Sequence, residues 1–397
     1  MQHSAIIICD SYIEKEPRVV KEIEALALAG ITPIAFSYTK SYPGVVCYDL
    51  PQRAAGNKHL SYPTVIRKSI SAYKRTVEPV LERVKADNYY YDKRFAQQIL
   101  AVVENKSFNI TSVIAHHLHN LPLSYFIAQK LNARLIFNAH EFYPEQFSEY
   151  EGWEARRKRL NKIGRDFLGS CYKIFNVCQG IQDRYERDFS LAEGKQVLVT
   201  NATVYKSLQP TATHDKIKLI HHGIANKNRK LELMIQIADA VDANRFEFYF
   251  MLVPSPHDQA YFDYLKDEIN KRPHCFLIPP VPTPAICEHI NRFDVGFYMY
   301  DNSSNFNMQH YLPNKLYEYI QARLGIVIGP YIEMKRVVEV YELGYVANEN
   351  TVSAIAALIN DLTKEDVERL KANAHTAAEK VAGEREVEKM AEVFKTL

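Results

Sequence analysis

An excess of charge of either sign is missing from this chain: over 397 residues the formal net charge is +2. General nucleic-acid binding is therefore excluded, and any anion site has to be local. The six cysteines, Cys9, Cys47, Cys171, Cys178, Cys275 and Cys287, include no C-x-x-C spacing, which removes the common zinc and dithiol patterns. Several lie in apolar runs and read as reduced core thiols of a cytosolic protein. No apolar window is long enough to span a bilayer, and the run at 5–9 has no basic leader or cleavage site before it. A soluble protein is expected, cytoplasmic and possibly attached at the inner face of a membrane. No loop carries an Asp-x-Asp pair suited to holding a metal with a diphosphate. Pro144 stands where a His-Glu-x-x-His zincin would need its second histidine, so His140 and Glu141 do not begin such a site.

What is present is alternation. The length suits two domains of about 200 residues each. The apolar run at 5–9 reads as a buried strand, and Pro17 opens a helix whose Val19, Val20, Ile23, Leu26 and Ala27 form an apolar stripe ended by Gly30. A strand follows at 34–36. The same order returns at 113–115, 121–131, 135–138 and 174–177, which predicts a parallel sheet covered by helices. A mostly helical insert rich in Lys, Arg and Tyr interrupts it near 62–105. A polar stretch at 203–216 breaks the pattern, and a second alternation runs through 217–223, 246–252, 275–278, 295–299 and 326–328. The expected domains are 1–205 and 216–383, followed by an amphipathic helix within 384–397. Open sheets of this kind bind ligands beyond the carboxyl ends of their strands.

Residues 312–330 carry the strongest single signal. Pro313 suits the first helical position, where its missing N–H costs nothing, so the N–H groups after it and the positive end of the helix dipole can receive an anion. Glu318, a little over one turn further in, would repel a phosphate but suits ribose hydroxyls. Together they point to a nucleotide. The segment Pro313-Asn-Lys-Leu-Tyr-Glu-Tyr319 resembles the Pro-x-Lys-x-x-Glu-Tyr segment of retaining GT-B glycosyltransferases of the family 4 type, enzymes of bacterial polysaccharide biosynthesis. The resemblance implies an α/β fold of two Rossmann-like, doubly wound domains facing a cleft. The amino-terminal domain would bind the acceptor, the carboxyl-terminal domain would bind a nucleotide-sugar, and the helix at 384–397 would cross back to the first domain. It also implies that Glu318 binds the donor ribose and that Asn307, His310, Asn314 and Lys315 belong to the donor site. His310 occupies the position of the family's second Glu.

Four further segments follow the same order. Residues 222–230 place Gly223, Arg229 and Lys230 between a strand and a helix, where backbone N–H groups and Arg229 can clamp a diphosphate. This resembles the family's strand-Gly-x-x-x-x-Arg segment. His116 and His117 follow a buried strand and resemble the start of a His-Asp-x-x-x-Leu-Pro segment, with His117 replacing Asp; a neutral imidazole there can orient the donor or polarise an acceptor proton. A metal reading of His116, His117 and His119 fails on spacing, because no carboxylate lies nearby in sequence and alternate side chains of an extended segment point to opposite sides. His140 and Glu141 resemble the family's Asp-x-His-Glu, and Asp10, Ser11, Pro17 and Arg18 its first loop; Arg18, His140 and Glu141 are acceptor candidates.

Sugar selectivity is expected at 305–310, after the polar loop 301–307, and the stiff 278–281 loop is expected to meet the base. Arg156, Arg157, Lys158, Arg159, Lys162 and Arg165, with Arg67, Lys68, Lys74, Arg75 and Arg83 of the insert, form basic helical faces that can rest on anionic lipid.

The expectation is a metal-independent retaining transferase. It moves a sugar from a UDP- or GDP-sugar to a glycan or lipid-linked acceptor of a surface polysaccharide, with Arg229, Lys315, His116 and His117 as its catalytic residues and no cofactor. The alternatives are a nucleotide-sugar epimerase of the same architecture and a non-catalytic sugar-binding relative.

Overall fold

The computed structural model describes residues 2–50, 91, 93–148, 152–255, 258–300 and 305–397. Most of the expected insert, with Arg67, Lys68, Lys74, Arg75 and Arg83, and residues 301–304 of the polar loop lie outside the described residues. The chain forms two compact units. Met1–Asn176, Gln182–Val199 and Val387–Leu397 make unit 1, and Val177–Ile181 with Thr200–Glu386 make unit 2.

Unit 1 contains β1 (His3–Ile8), β2 (Thr32–Ser37), β3 (Val46–Asp49), β4 (Asn109–His116), β5 (Arg134–Ala139), β6 (Lys173–Asn176) and β7 (Gln196–Leu198). They pair in parallel in the order β3-β2-β1-β4-β5-β6-β7. Parallel strands need helical crossovers, which cover both faces of the sheet, so these strands read as apolar runs rather than as alternation. Every residue from Ser4 to Ile8 is buried. Pro17 does open the first helix, Pro17–Leu28, and Gly30, at φ 74, lies just beyond its end. Met390, Ala391 and Phe394 of the helix Gly383–Phe394 join the core formed by Ile7, Val19, Ile114 and Phe175. The Phe394 and Phe175 rings meet edge to face at 5.9 Å.

Unit 2 contains β8 (Ile217–Ala225), β9 (Phe246–Pro254), β10 (Cys275–Leu277), β11 (Val295–Tyr298), β12 (Gly325–Ile328) and β13 (Gly344–Val346), in the order β10-β9-β8-β11-β12-β13. Both sheets are therefore doubly wound in the Rossmann manner. In unit 1 the order reverses between β1 and β4, in unit 2 between β8 and β11, and such switch points leave a crevice at the strands' carboxyl ends.

Two local readings need correction. Gly223 lies inside β8, which runs two residues further, and is not part of a turn; its φ of +141° still favours glycine. Pro313 caps the helix Asn314–Gln321 in an extended conformation, one residue before the first helical position. All six cysteines are free, five of them buried. Among the described residues no helix is long and apolar enough to cross a membrane.

Candidate functional site

Chemically distinctive side chains gather at both switch points. In unit 2 the helix Asn314–Gln321 brings two of them. Its residues from Lys315 to Gln321 are all buried, so helix propensity alone does not hold it in place. Gly296 on β11 lacks a Cβ where the Tyr319 ring packs, since a Cβ there would lie 2.4 Å from that ring. The Tyr319 hydroxyl reaches the carbonyls of Ile220 at 3.2 Å and Phe297 at 3.3 Å. Two residues further on, at the helix's carboxyl end, Gln321 donates to the Ala378 carbonyl at 2.6 Å and accepts from Lys206 N–H at 3.0 Å. Anchored through its carboxyl-terminal half, the helix brings Lys315 and Glu318 to the end of β8.

Gly223 is the meeting point. A Cβ built on it would lie 3.4 Å from Lys315 Nζ and 3.9 Å from Arg229 Nη1. Two cationic side chains thus converge over a backbone with no side chain of its own. Lys315 Nζ also lies 3.4 Å from His221 Nε2 and 4.5 Å from the centre of the Tyr298 ring. Glu318 Oε2 stands 3.4 Å from His222 Nε2. The Tyr298 hydroxyl and His222 Nε2 are buried without a hydrogen-bond partner among the described residues.

Burial, then the Arg229 charge, holds the Lys315 ammonium well below its usual pKa. Burial pushes the Glu318 carboxyl up to about 7, opposed by Lys315. The imidazoles of His221 and His222 are driven well down by burial and by Lys315, so both are neutral at pH 7. This is a dehydrated cluster in which Lys315 and Arg229 converge beside an acid that titrates at about 7 and two neutral imidazoles. An anion with hydroxyl groups matches it.

The rest of the expected donor set is more dispersed. Asn314 is the first residue of the helix, beside Lys315. Asn307 is buried in the short helix Phe306–Gln309 and donates its N–H to Asn305 Oδ1 at 2.9 Å. His310 Nδ1 faces Glu333 Oε1 at 3.1 Å, and its ring lies 4.4 Å from that of Phe306.

In unit 1, the helix Pro17–Leu28 and the carboxyl ends of β4 and β5 deliver the polar groups, and most of them satisfy one another. Arg18 is buried. Nε and Nη2 donate to Asn138 Oδ1 at 2.8 and 2.7 Å, and Nη1 to the Val199 carbonyl at 2.7 Å. Asn138 Nδ2 donates to Glu22 Oε1 at 2.8 Å. His116 is fully buried, with Nε2 2.6 Å from Glu22 Oε2 and Nδ1 3.0 Å from His140 Nε2. These polar contacts of His116 and Arg18 are thus all with protein groups of unit 1. Burial holds the His140 imidazole well below its usual pKa, helped by His116 and Arg18. Glu141 accepts from Gln146 Nε2, and its carbonyl from the Tyr185 hydroxyl at 3.0 Å.

His117 is presented differently. It sits at φ 64, a backbone region uncommon outside glycine, and Nδ1 contacts Asp10 Oδ1 at 2.6 Å. Asp10 Oδ2 meets His119 Nε2 at 2.7 Å, and Asn120 Nδ2 donates to Oδ1 at 2.9 Å. Burial opposes charge on His117, but the bond to Asp10 outweighs it and raises the pKa; Asp10 is correspondingly held far below the usual carboxylate range.

Asp10 and Glu22 were missed as hubs. The available signal for Asp10 was its place at the carboxyl end of the first strand. For Glu22 it was the spacing of four from Arg18, which puts both on one helix face. The spacing case against a metal failed for the same reason: the carboxylate lies 107 residues away in sequence.

No protein-family model and no curated protein matches the sequence. Solved structures do. Sucrose-phosphate synthase from Thermosynechococcus elongatus superposes with a TM-score of 0.69 at 12% identity, covering 100% of this chain and 99% of that one. WaaG, a glycosyltransferase involved in lipopolysaccharide biosynthesis, gives 0.64 at 10% identity over 98% and 99%. HepE from Anabaena, solved with UDP and glucose, gives 0.68 at 8% identity over 99% and 100%. The chain therefore has the GT-B fold of these proteins.

Proposed function

We propose that the chain is a retaining glycosyltransferase that moves a sugar from a nucleoside diphosphate donor, a UDP- or GDP-sugar, to a glycan or lipid-linked acceptor of a surface polysaccharide. The observation that carries this reading is the convergence of Arg229 and Lys315 over Gly223, with Glu318 beside them on the same helix as Lys315. Arg229 and Lys315 receive the diphosphate and neutralise the charge that grows on it as it leaves, an effect largest in a water-poor site. Glu318 takes the ribose hydroxyls. The bond from the anomeric carbon to the diphosphate oxygen breaks while the acceptor hydroxyl oxygen bonds to the same face of that carbon and its proton passes to the departing diphosphate oxygen, so no enzymic nucleophile and no metal on the diphosphate are needed. The UDP in the HepE structure supports a uridine donor, and the lipopolysaccharide role of WaaG supports a surface-glycan acceptor.

Unit 1 supplies the acceptor side in this reading, with His117, His140 and Glu141 nearest to it. The basic helix Trp153–Phe167, with exposed Arg157 and Lys162, would hold an anionic or lipid-linked acceptor at a membrane surface.

The test is turnover of a panel of UDP- and GDP-sugars with and without a lipid-glycan acceptor. Product formed only with acceptor, and with the anomeric configuration kept, is expected. Conversion of donor alone would make the protein an epimerase. Failure of every nucleoside diphosphate to raise the melting temperature would leave a non-catalytic relative, since a ligand selective for the native state stabilises it by mass action.

A further inference from the structure

We propose that Asp10, His117 and His119 form a binding site for one divalent transition-metal ion of the zinc type, on unit 1 and independent of the donor cluster. Among the described residues this is the group whose ligand atoms converge: Asp10 carboxylate oxygen, His117 Nδ1 and His119 Nε2 all lie within 4.8 Å of one another. Two imidazoles and one carboxylate are a donor set for Zn²⁺ and its first-row neighbours, and not for Mg²⁺ or Ca²⁺, which prefer oxygen throughout.

The fold builds the site from two strands that meet at the switch point. Asp10 follows β1, and His117 and His119 follow β4, which pairs with β1 through Ile8 and Ala115. That register brings a carboxylate to two histidines 107 and 109 residues away. The backbone at His117 is held at a positive φ, 64, with ψ 135, a strain of roughly 1 kcal/mol or more that persists only where the surroundings impose it, and here it turns Nδ1 towards Asp10.

An outer layer is also in place. Asn120, itself buried, donates to Asp10 Oδ1 at 2.9 Å and to the His116 carbonyl at 2.9 Å, which fixes the carboxylate plane. The side chains of Asp10, His117 and His119 are 28%, 20% and 27% exposed, so an ion held by all three keeps a coordination position open to water or to a hydroxyl or phosphate oxygen. The present N–O separations of 2.6 and 2.7 Å are hydrogen bonds, each holding a proton. An ion takes the place of the two bridging hydrogens: each imidazole then carries its one proton on the ring nitrogen that faces away from the ion, any second proton leaves to solvent, and the ligand atoms, now within 4.8 Å of one another, rearrange to the edge length of a tetrahedral site.

The test uses the full chain, stripped with chelator and free of nucleotide. Zn²⁺ is titrated against a chromophoric chelator, and Co²⁺ is followed by its visible absorption. One equivalent bound, with a tetrahedral Co²⁺ spectrum, is expected, and His119→Gln, His117→Gln and Asp10→Asn are each expected to weaken binding tenfold or more. Absence of stoichiometric binding to the wild type, or binding undiminished in folded His119→Gln, would overturn the site. Because a variant at buried strand ends can fail to fold, the ¹⁵N resonances of the histidines in the wild type give a second decision: Zn²⁺ must shift His117 Nδ1 and His119 Nε2, and a shift confined to other histidines refutes the assignment. UDP affinity of the stripped protein is measured alongside, so that loss of the metal proposal and loss of the donor reading remain separate results.

Discussion

The two switch points treat buried polar groups in opposite ways. In unit 1, Arg18, Glu22, Asn138, His116 and His140 form a closed chain in which opposite charges and complementary donors meet at 2.6 to 3.0 Å. In unit 2, like charges converge at Gly223, Glu318 reaches His222 only at 3.4 Å, and the Tyr298 hydroxyl has no partner among the described residues. A satisfied network rigidifies a fold, whereas an unsatisfied one lowers stability and persists where it serves a ligand. On the reading proposed above, the difference sets a scaffold network in unit 1 against a ligand cluster in unit 2, although the Tyr143 hydroxyl beside His117 is also without a partner among the described residues.

The sharpest way to break that comparison is at Glu22. Glu22→Ala leaves His116 Nε2 and Asn138 Nδ2 buried without acceptors, and a loss of about 3–5 kcal/mol is expected in urea unfolding, with UDP affinity of the folded fraction unchanged. Arg229→Ala should do the reverse. Turnover is expected to fall by about 10²–10³, the scale for removing one charge-stabilising donor, while the melting temperature stays within a few degrees. A variant that unfolds instead would make Arg229 structural.

The contrast is finer at Lys315. Lys315→Met removes a buried ammonium that faces another cation, so the nucleotide-free protein is expected to gain on the order of 1 kcal/mol while losing diphosphate affinity. Loss of both stability and binding would contradict it.

Glu318→Gln gives the most specific effect, one that appears only as a dependence on pH. The folded carboxyl has a pKa raised to about 7 against a reference of 4.5, so its contribution to stability is full below pH 4.5 and is lost as pH rises through about 7. The neutral amide has no such dependence. The stability of the variant relative to the wild type should therefore rise between pH 5 and 8, by about 2.5 kcal/mol across that range.

Much of this was legible in the sequence, for identifiable reasons. Parallel strands covered on both faces need unbroken apolar runs, so β1, β5 and β11 stood out, and the helix Leu121–Leu131 appeared with its observed bounds. Lys315 and Glu318 were legible because their separation of three is a helical turn, a short-range relation. Partnerships across the sheet were not. Asp10 meets His117, and Glu22 meets His116, only because β1 and the helix after it lie beside β4, and no local spacing encodes that. His310 was placed by alignment to a motif, but its ring follows Glu333, a residue 23 positions away.

The most direct measurement of the central claim is calorimetric titration of UDP against uridine, with wild type and Arg229→Ala compared under one buffer and salt. If Arg229 and Lys315 receive a diphosphate over Gly223, UDP should bind the wild type at least a hundredfold more tightly than uridine, and Arg229→Ala should reduce that ratio by tenfold or more. Equal affinities for UDP and uridine in the wild type, or a ratio untouched by the substitution, would contradict the account.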